Sequence, residues 1–212
     1  MALEATHLRF ALDLKDKYQI KDIKKYISGV VYPDSRYITG IDRSLTHPID
    51  YLDWHWDMAD DFKKGWFVHL LTDQIQSQVT REKLPQVFKG SYGQGSDVWI
   101  NHSAIKILLD LDDVKKFKIK QFLPYLNYLE NPNGEDLKML KKYNQIFIKM
   151  YARPEKINAD ISCKMWRDLG VDSDLVEKIR VKVAEYSKDV TIMKAIGEIY
   201  QDMLKKINTG EK

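Results

Sequence analysis

Gly65-Trp66-Phe67-Val68-His69-Leu70-Leu71-Thr72-Asp73 is the stretch on which the reading of this chain turns. At helical spacing Phe62, Trp66, His69 and Asp73 share one stripe, with His69 and Asp73 one turn apart on the same face. The opposite stripe, Val68, Leu71, Ile75 and Val79, is apolar as well. A helix that is apolar on both sides belongs at the centre of its domain. An imidazole and a carboxylate without partners would be costly there, or would shift their pKa values. A bound cation or a hydrogen-bond network removes that cost, so these nine residues predict a buried central helix that carries chemistry.

The pattern outward from this helix is helical throughout, and no stretch alternates as a strand. The expected class is all-α: one domain over 1–212, with a metal-site half at 1–110 and a helical remainder at 111–212. Helices are expected at about Leu3–Lys15, Lys21–Ser28 ending at Gly29, Asp57–Gln78, Glu82–Phe88, Asp97–Leu109, Asp112–Glu130, Gly134–Tyr151, Ala159–Leu169, Asp174–Tyr186 and Val190–Ile207. Val30 to Pro48 reads as a loop. Pro33 disfavours regular helix at Tyr32, and a bend there would aim Asp34 inward. Lys89 to Ser96, with three glycines, reads as a flexible loop. Met193, Ile196, Tyr200, Met203 and Ile207 form a core stripe rather than a cofactor site.

Composition narrows the functional classes. A length of 212 residues with 44% hydrophobic and 31% charged content is globular, and no apolar run approaches the roughly 18 to 20 residues of a membrane span. The start Met1-Ala2-Leu3-Glu4 lacks the pattern of a secretory signal, and the one cysteine, Cys163, has no partner in the chain, so a cytoplasmic location is expected and Cys163 reads as a packed residue. Net charge is +3, with no strong nucleic-acid signal. Its distribution is uneven: residues 1–100 carry net −1 and residues 101–212 net +4. From Ser44 to Asp61 there are five aspartates, two histidines and no lysine or arginine, which suits a cation better than a phosphate backbone. A solvated acidic loop is the plainer account of Asp50, Asp53, Asp60 and Asp61. The run Lys115-Lys116-Phe117-Lys118-Ile119-Lys120 reads as a solvated helix face.

All five histidines, His7, His47, His55, His69 and His102, lie in the first half. In order, His7 stands in Thr6-His7-Leu8, Asp34 follows Pro33, His47 sits in Thr46-His47-Pro48, and His69-Leu70-Leu71-Thr72-Asp73 closes the set. This order resembles the zinc-dependent phospholipase C family and the related single-strand-preferring zinc nucleases, which are all-α metallohydrolases. The resemblance covers about the first third of the chain. It implies metal ligation by His7, Asp34, His47, His69 and Asp73, with Asp34, His47, His69 and Asp73 as one complete site. Asp73 would bridge to a second, weaker ion held partly by His7. It also gives Asp34 a catalytic part in handling the proton of the attacking water.

The departures are informative. The family phospholipases bind metal through a mature N-terminal tryptophan, whereas this chain begins Met1-Ala2, so the Ala2 amine is the nearest substitute. A later histidine and a His-x-x-x-Glu or Asp pair also lack a match, since Lys106 stands four residues after His102. One or two ions are therefore expected rather than three. His102 reads as a polar helix-start residue, and Asp53-Trp54-His55-Trp56-Asp57 as a surface turn or a further ligand.

The implied function is hydrolysis of a phosphoester, monoester or diester, through a metal-activated water, with a small phosphorylated substrate. Mixed nitrogen and oxygen ligation points to zinc, with iron, manganese or nickel as alternatives. Arg36, Arg43 and Lys64 are candidates for contact with phosphate, each also explicable as a surface charge. Two rivals differ in kind. An HD-type phosphohydrolase needs an adjacent His-Asp pair, which is missing, and a non-catalytic helical interaction module would hold a structural metal or none.

Overall fold

The computed structural model describes residues 3–53 and 59–209. Among these residues there are helices, turns and loops but no strand. The longer helices are α1 (Glu4–Leu14), α2 (Ile23–Val31), α5 (Asp61–Lys83), α6 (Asp97–Lys116), α7 (Leu137–Tyr151), α8 (Ala159–Asp168), α9 (Ser173–Tyr186) and α10 (Val190–Thr209). Two single-turn helices, α3 (Arg36–Thr39) and α4 (Arg43–Thr46), lie between α2 and α5. None of the helices searched is long and apolar enough to cross a membrane.

Side-chain caps set many of the boundaries. Asp22 accepts from the backbone N–H groups of Lys24 and Lys25, Asp60 from Lys63, Ser96 from Trp99, Asn158 from Ile161, and Asp172 from Asp174 and Leu175. Each satisfies amide donors that a helix start leaves without an intrahelical partner. The carboxylate of Asp61 accepts from the N–H of Lys21 at 2.9 Å, which ties the start of the central helix to the approach to α2.

Helix α5 is the centre of the fold, and α2 is its most intimate neighbour. A Cβ at Gly29 would stand 2.0 Å from the carbonyl oxygen of Phe62, and one at Gly65 would stand 2.1 Å from that of Tyr26. The two helices thus cross backbone against backbone at a pair of glycines. Gly29 was expected to end α2; it lies inside the helix instead, because the crossing needs a residue without a side chain. Buried Phe10, Tyr26, Ile27, Phe62, Val68 and Ile105 belong to the continuous core around this crossing, with the Tyr26 hydroxyl donating to the carbonyl of Ala11 at 2.8 Å.

Several expected boundaries move. Tyr32 takes right-handed helical backbone angles despite the following proline, because α2 tightens into a 3-10 turn over Tyr32–Ser35. Helix α5 starts at Asp61, after its Asp60 cap, and runs to Lys83; Pro85 stops it and opens the 3-10 turn Pro85–Phe88 where a helix was expected. Helix α6 continues through Leu109 to Lys116, and the helix expected over Asp112–Glu130 is replaced beyond it by 3-10 turns at Ile119–Gln121 and Leu123–Asn127, the latter containing Pro124. Met193 is 38% exposed and leaves the stripe that Ile196, Tyr200 and Met203 keep buried.

Candidate metal centre

Four elements deliver five side chains to one buried point. His7 comes from the first turns of α1, which α6 holds in place: Asp110 accepts from the N–H of Ala5 at 2.9 Å, and Asp113 from the Thr6 hydroxyl at 2.6 Å. Asp34 comes from the 3-10 turn after α2. That turn is latched from the second half of the chain, since the Tyr32 hydroxyl donates to Glu135 while Asn133 Nδ2 donates back to the Tyr32 oxygen at 2.6 Å. His47 ends α4, with Nδ1 3.0 Å from the Thr46 hydroxyl. The Trp66 indole N–H donates to the Thr46 carbonyl at 2.7 Å, pinning α4 to α5.

His69 and Asp73 come from α5 as the periodicity requires. The backbone crossing at Gly29 and Gly65 brings the Val30 carbonyl 2.7 Å from His69 Nδ1. A carbonyl only accepts, so Nδ1 carries the proton and Nε2 keeps its lone pair. This is the orientation that an outer hydrogen bond imposes on a metal-ligating histidine.

The inner atoms form a closed circuit. His47 Nε2 lies 3.5 Å from Asp34 Oδ1 and 3.9 Å from Asp73 Oδ2, and His69 Nε2 lies 4.0 Å from Asp34 Oδ2 and 4.0 Å from Asp73 Oδ2. His7 joins from the side, with Nε2 3.5 Å from Asp73 Oδ1 and its ring stacked on that of His69. Ligands about 2.1 Å from a tetrahedral zinc stand roughly 3.4 Å apart, so these spacings are close to those of a coordination shell. Two triads, His7, Asp34 and His69, and His47, His69 and Asp73, each offer ligand atoms within 4.8 Å of one another and could hold a metal ion. Because His69 has one free lone pair, it can serve only one ion at a time.

The donor chemistry fits as well. Both nitrogens of His7, both oxygens of Asp34, and Nε2 of His47 and of His69 are buried and make no hydrogen bond among the described residues. Such atoms are costly unless something else satisfies them. Burial, aided by neighbouring His69, pushes the His47 imidazole down to about 2, and burial also lowers His7 and His69, so all three rings are neutral near pH 7. Burial raises Asp34. At Asp73 burial works against ionisation but is outweighed by nearby positive charge, that of the N-terminus first and of Lys106 as well, which holds the carboxyl well below its usual range. Neutral imidazoles with an ionised carboxylate are the states in which these groups bind cations.

The other candidates fall elsewhere. Lys64 pairs with Asp61 at 3.8 Å. Arg36 stacks over Tyr37 at 4.2 Å, and Arg43 is exposed. Cys163 is buried, its thiol pushed up to about 11 by that burial, which suits packing rather than nucleophilic attack. Asp50 and Asp53 are exposed. His55 and the Ala2 amine lie outside the described residues.

His102 differs from its sequence reading. It is 3% exposed, in the second turn of α6, with its ring 4.9 Å from that of Phe88 and both nitrogens without a hydrogen-bond partner among the described residues. Sequence reasoning also passed over Lys106, Asp110 and Asp113, which continue the buried face of α6. Their spacing of four, four and three residues was the available signal. Comparison of the chain with family models, with curated proteins and with solved structures finds no match.

Proposed function

We propose that this chain is a metal-dependent hydrolase acting on a phosphoester, with zinc as the preferred ion and Asp34, His47, His69 and Asp73 as its principal ligands. The observation that carries the reading is the convergence of buried imidazole nitrogens and carboxylate oxygens that have lone pairs and no hydrogen-bond partner among the described residues. Hydrogen bonding through Val30 already fixes the ring of His69, so little reorganisation is needed to bind an ion.

A divalent ion held there supplies a Lewis acid for a phosphoryl oxygen and lowers the pKa of a water molecule, so no side-chain nucleophile is required. The chain's residues do the rest. Asp34, with its proton affinity raised by burial, is placed to take a proton from the attacking water. His7, stacked on His69, limits the freedom of that ring. The likeness in residue order to zinc-dependent phospholipases and nucleases supports the same chemistry.

The test is elemental analysis of purified protein, followed by assay of the zinc-loaded form against phosphomonoesters, phosphodiesters and nucleotides. Stoichiometric metal and turnover that a chelator abolishes and zinc restores are expected. Folded protein that retains no divalent ion from a zinc-supplemented buffer would overturn the reading and leave a helical interaction module.

A further inference from the structure

On elements that give no ligand to the metal centre, a cleft of about 470 Å³ opens between α7 and α8. Both helices line it with the same order of residues. Ile146, Lys149 and Met150 on α7, and Ile161, Lys164 and Met165 on α8, fall three and four positions apart, so each trio shares one helix face. The methionines are buried and the isoleucines half-buried, and the four together form an aliphatic floor. The connection between the helices adds Arg153 and Lys156 to the wall.

The charge of this cleft is one-sided. Lys149, Arg153, Lys156 and Lys164 face a single acid, Asp168, and that carboxylate is held by Lys164 at 2.5 Å. Lys149, Arg153 and Lys156 have no carboxylate partner among the described residues. Glu155 and Asp160, which lie between these residues in sequence, do not line the cleft. Two other clefts of similar volume are balanced. The one between α6 and α9 sets Asp97 and Glu177 against Lys178 and Lys182, and the one beside the start of α2 sets Asp22, Asp60 and Asp61 against Lys21, Lys25 and Lys64. Like charges around an apolar floor repel one another and leave that floor facing water; an anion with an aliphatic body relieves both costs.

We propose that the cleft between α7 and α8 binds a small aliphatic anion, a short alkyl chain with a carboxylate or phosphate head. The chain lies on the isoleucines and methionines, and the head sits among Lys149, Arg153 and Lys156. A volume of about 470 Å³ falls within the range of small-molecule sites, roughly 300–1,000 Å³. A protein partner needs a broad face, on the order of 800 Å² per side, whereas Met150 and Met165 are 8% and 2% exposed and offer contact only inside the cleft. The lining has no aromatic ring on which a nucleotide base would stack, while the flexible methionines adapt to a chain. Arg153 supplies a fork of N–H donors that pairs with two oxygens of either head group. This site is independent of the metal-centre reading.

Octanoate and octyl phosphate are the probes and distinguish the two head groups, with 1-octanol and inorganic phosphate as chain and head alone. Each is titrated, below its micelle concentration, into the full chain with isotope-labelled methionine methyl groups. The Met150 and Met165 resonances are assigned from Met150→Leu and Met165→Leu. Affinity is read from these two resonances, so phosphate bound at the metal centre does not register. At least one octyl anion should shift both resonances to saturation and bind about tenfold more tightly than octanol or phosphate. Lys149→Glu combined with Arg153→Glu should weaken that anion by about tenfold, as two exposed ion pairs turn repulsive, and leave the metal content unchanged. The proposal is overturned if neither octyl anion shifts Met150 and Met165, if octanol binds as tightly as the anions, or if the charge-reversed variant keeps full affinity. The wild-type spectra decide it even if the variant does not fold.

Discussion

The imidazoles of His7 and His69 stack face to face, with ring centroids 3.9 Å apart and planes 7° from parallel. Two protonated rings could not hold this arrangement at the bottom of a buried site, and burial lowers both below their ordinary value of 6.5. The stack is thus a contact between neutral rings, available to α1 and α5 only while both stay unprotonated.

A pH dependence follows for the metal-free protein. Below about 6.5 the unfolded chain protonates its imidazoles, whereas the folded chain keeps His47 neutral down to about 2. The unfolded state then binds more protons, so stability falls as pH falls, by up to about 1.4 kcal/mol per pH unit for each such ring. Asp110 works in the opposite direction. Burial raises it to about 7, so its contribution is present at low pH and lost as pH rises through 7. Comparing wild type with His47→Gln isolates the imidazole: urea unfolding between pH 7 and 5 should show a slope reduced by about one proton in the variant. Identical slopes would mean that His47 is not held neutral by the fold.

The crossing of α2 and α5 should be intolerant of a single methyl group. With only 2.0 Å to the Phe62 oxygen and 2.1 Å to the Tyr26 oxygen, Gly29→Ala and Gly65→Ala must push backbone apart rather than a flexible side chain. Each should cost at least about 1–3 kcal/mol, the range of overpacked cores. Parting the helices also draws the Val30 carbonyl from His69, so metal affinity should fall along with stability. Chemical denaturation and a metal titration of the same variant would check both effects, and a wild-type unfolding midpoint for either alanine would refute the geometry.

What could be read from the sequence followed from local periodicity. The two-sided greasy stripe around His69 and Asp73 identified the central helix, and Pro33 located the turn that turns Asp34 inward. The remainder depended on contacts between distant segments. Nothing local distinguishes a glycine that ends a helix from Gly29, which lies under a crossing helix 33 residues further on, at Phe62. His102 and Lys106 looked polar because α6 is only weakly one-sided in sequence. They are buried because α1, held by Asp110 and Asp113, and the turn carrying Phe88 pack over that face. The latch from Glu135 and Asn133 onto Tyr32 joins residues about a hundred positions apart, beyond the reach of any periodicity.

That latch can be tested with one atom. Tyr32→Phe removes the hydroxyl that donates to Glu135 and accepts from Asn133, leaving Glu135 buried with one donor fewer. The loss should be about 1–3 kcal/mol. Because Tyr32 opens the turn that carries Asp34, zinc affinity should weaken too. Thermal unfolding with and without zinc would separate the two effects: a smaller zinc-induced rise in Tm than in wild type is expected, and an equal rise would show that the latch does not position Asp34.

The number of ions is set by His69. Its Nδ1 is committed to Val30, so Nε2 is its only ligand atom, yet both triads require it. One ion should therefore bind tightly, with Asp34, His47, His69 and Asp73 around it. A second, drawing on His7 and a shared Asp73 oxygen, would have too few protein ligands to be tight. Titrating zinc into metal-free protein should give one strong event and at most one weak one. His69→Ala should abolish the strong event, His7→Ala should remove only the weak one, and His102→Ala should leave the zinc stoichiometry unchanged, because its nitrogens lie outside both triads. Two equally tight ions in the wild type would mean that a further ligand completes a second site, and loss of the strong event in His102→Ala would identify His102 as part of the inner shell.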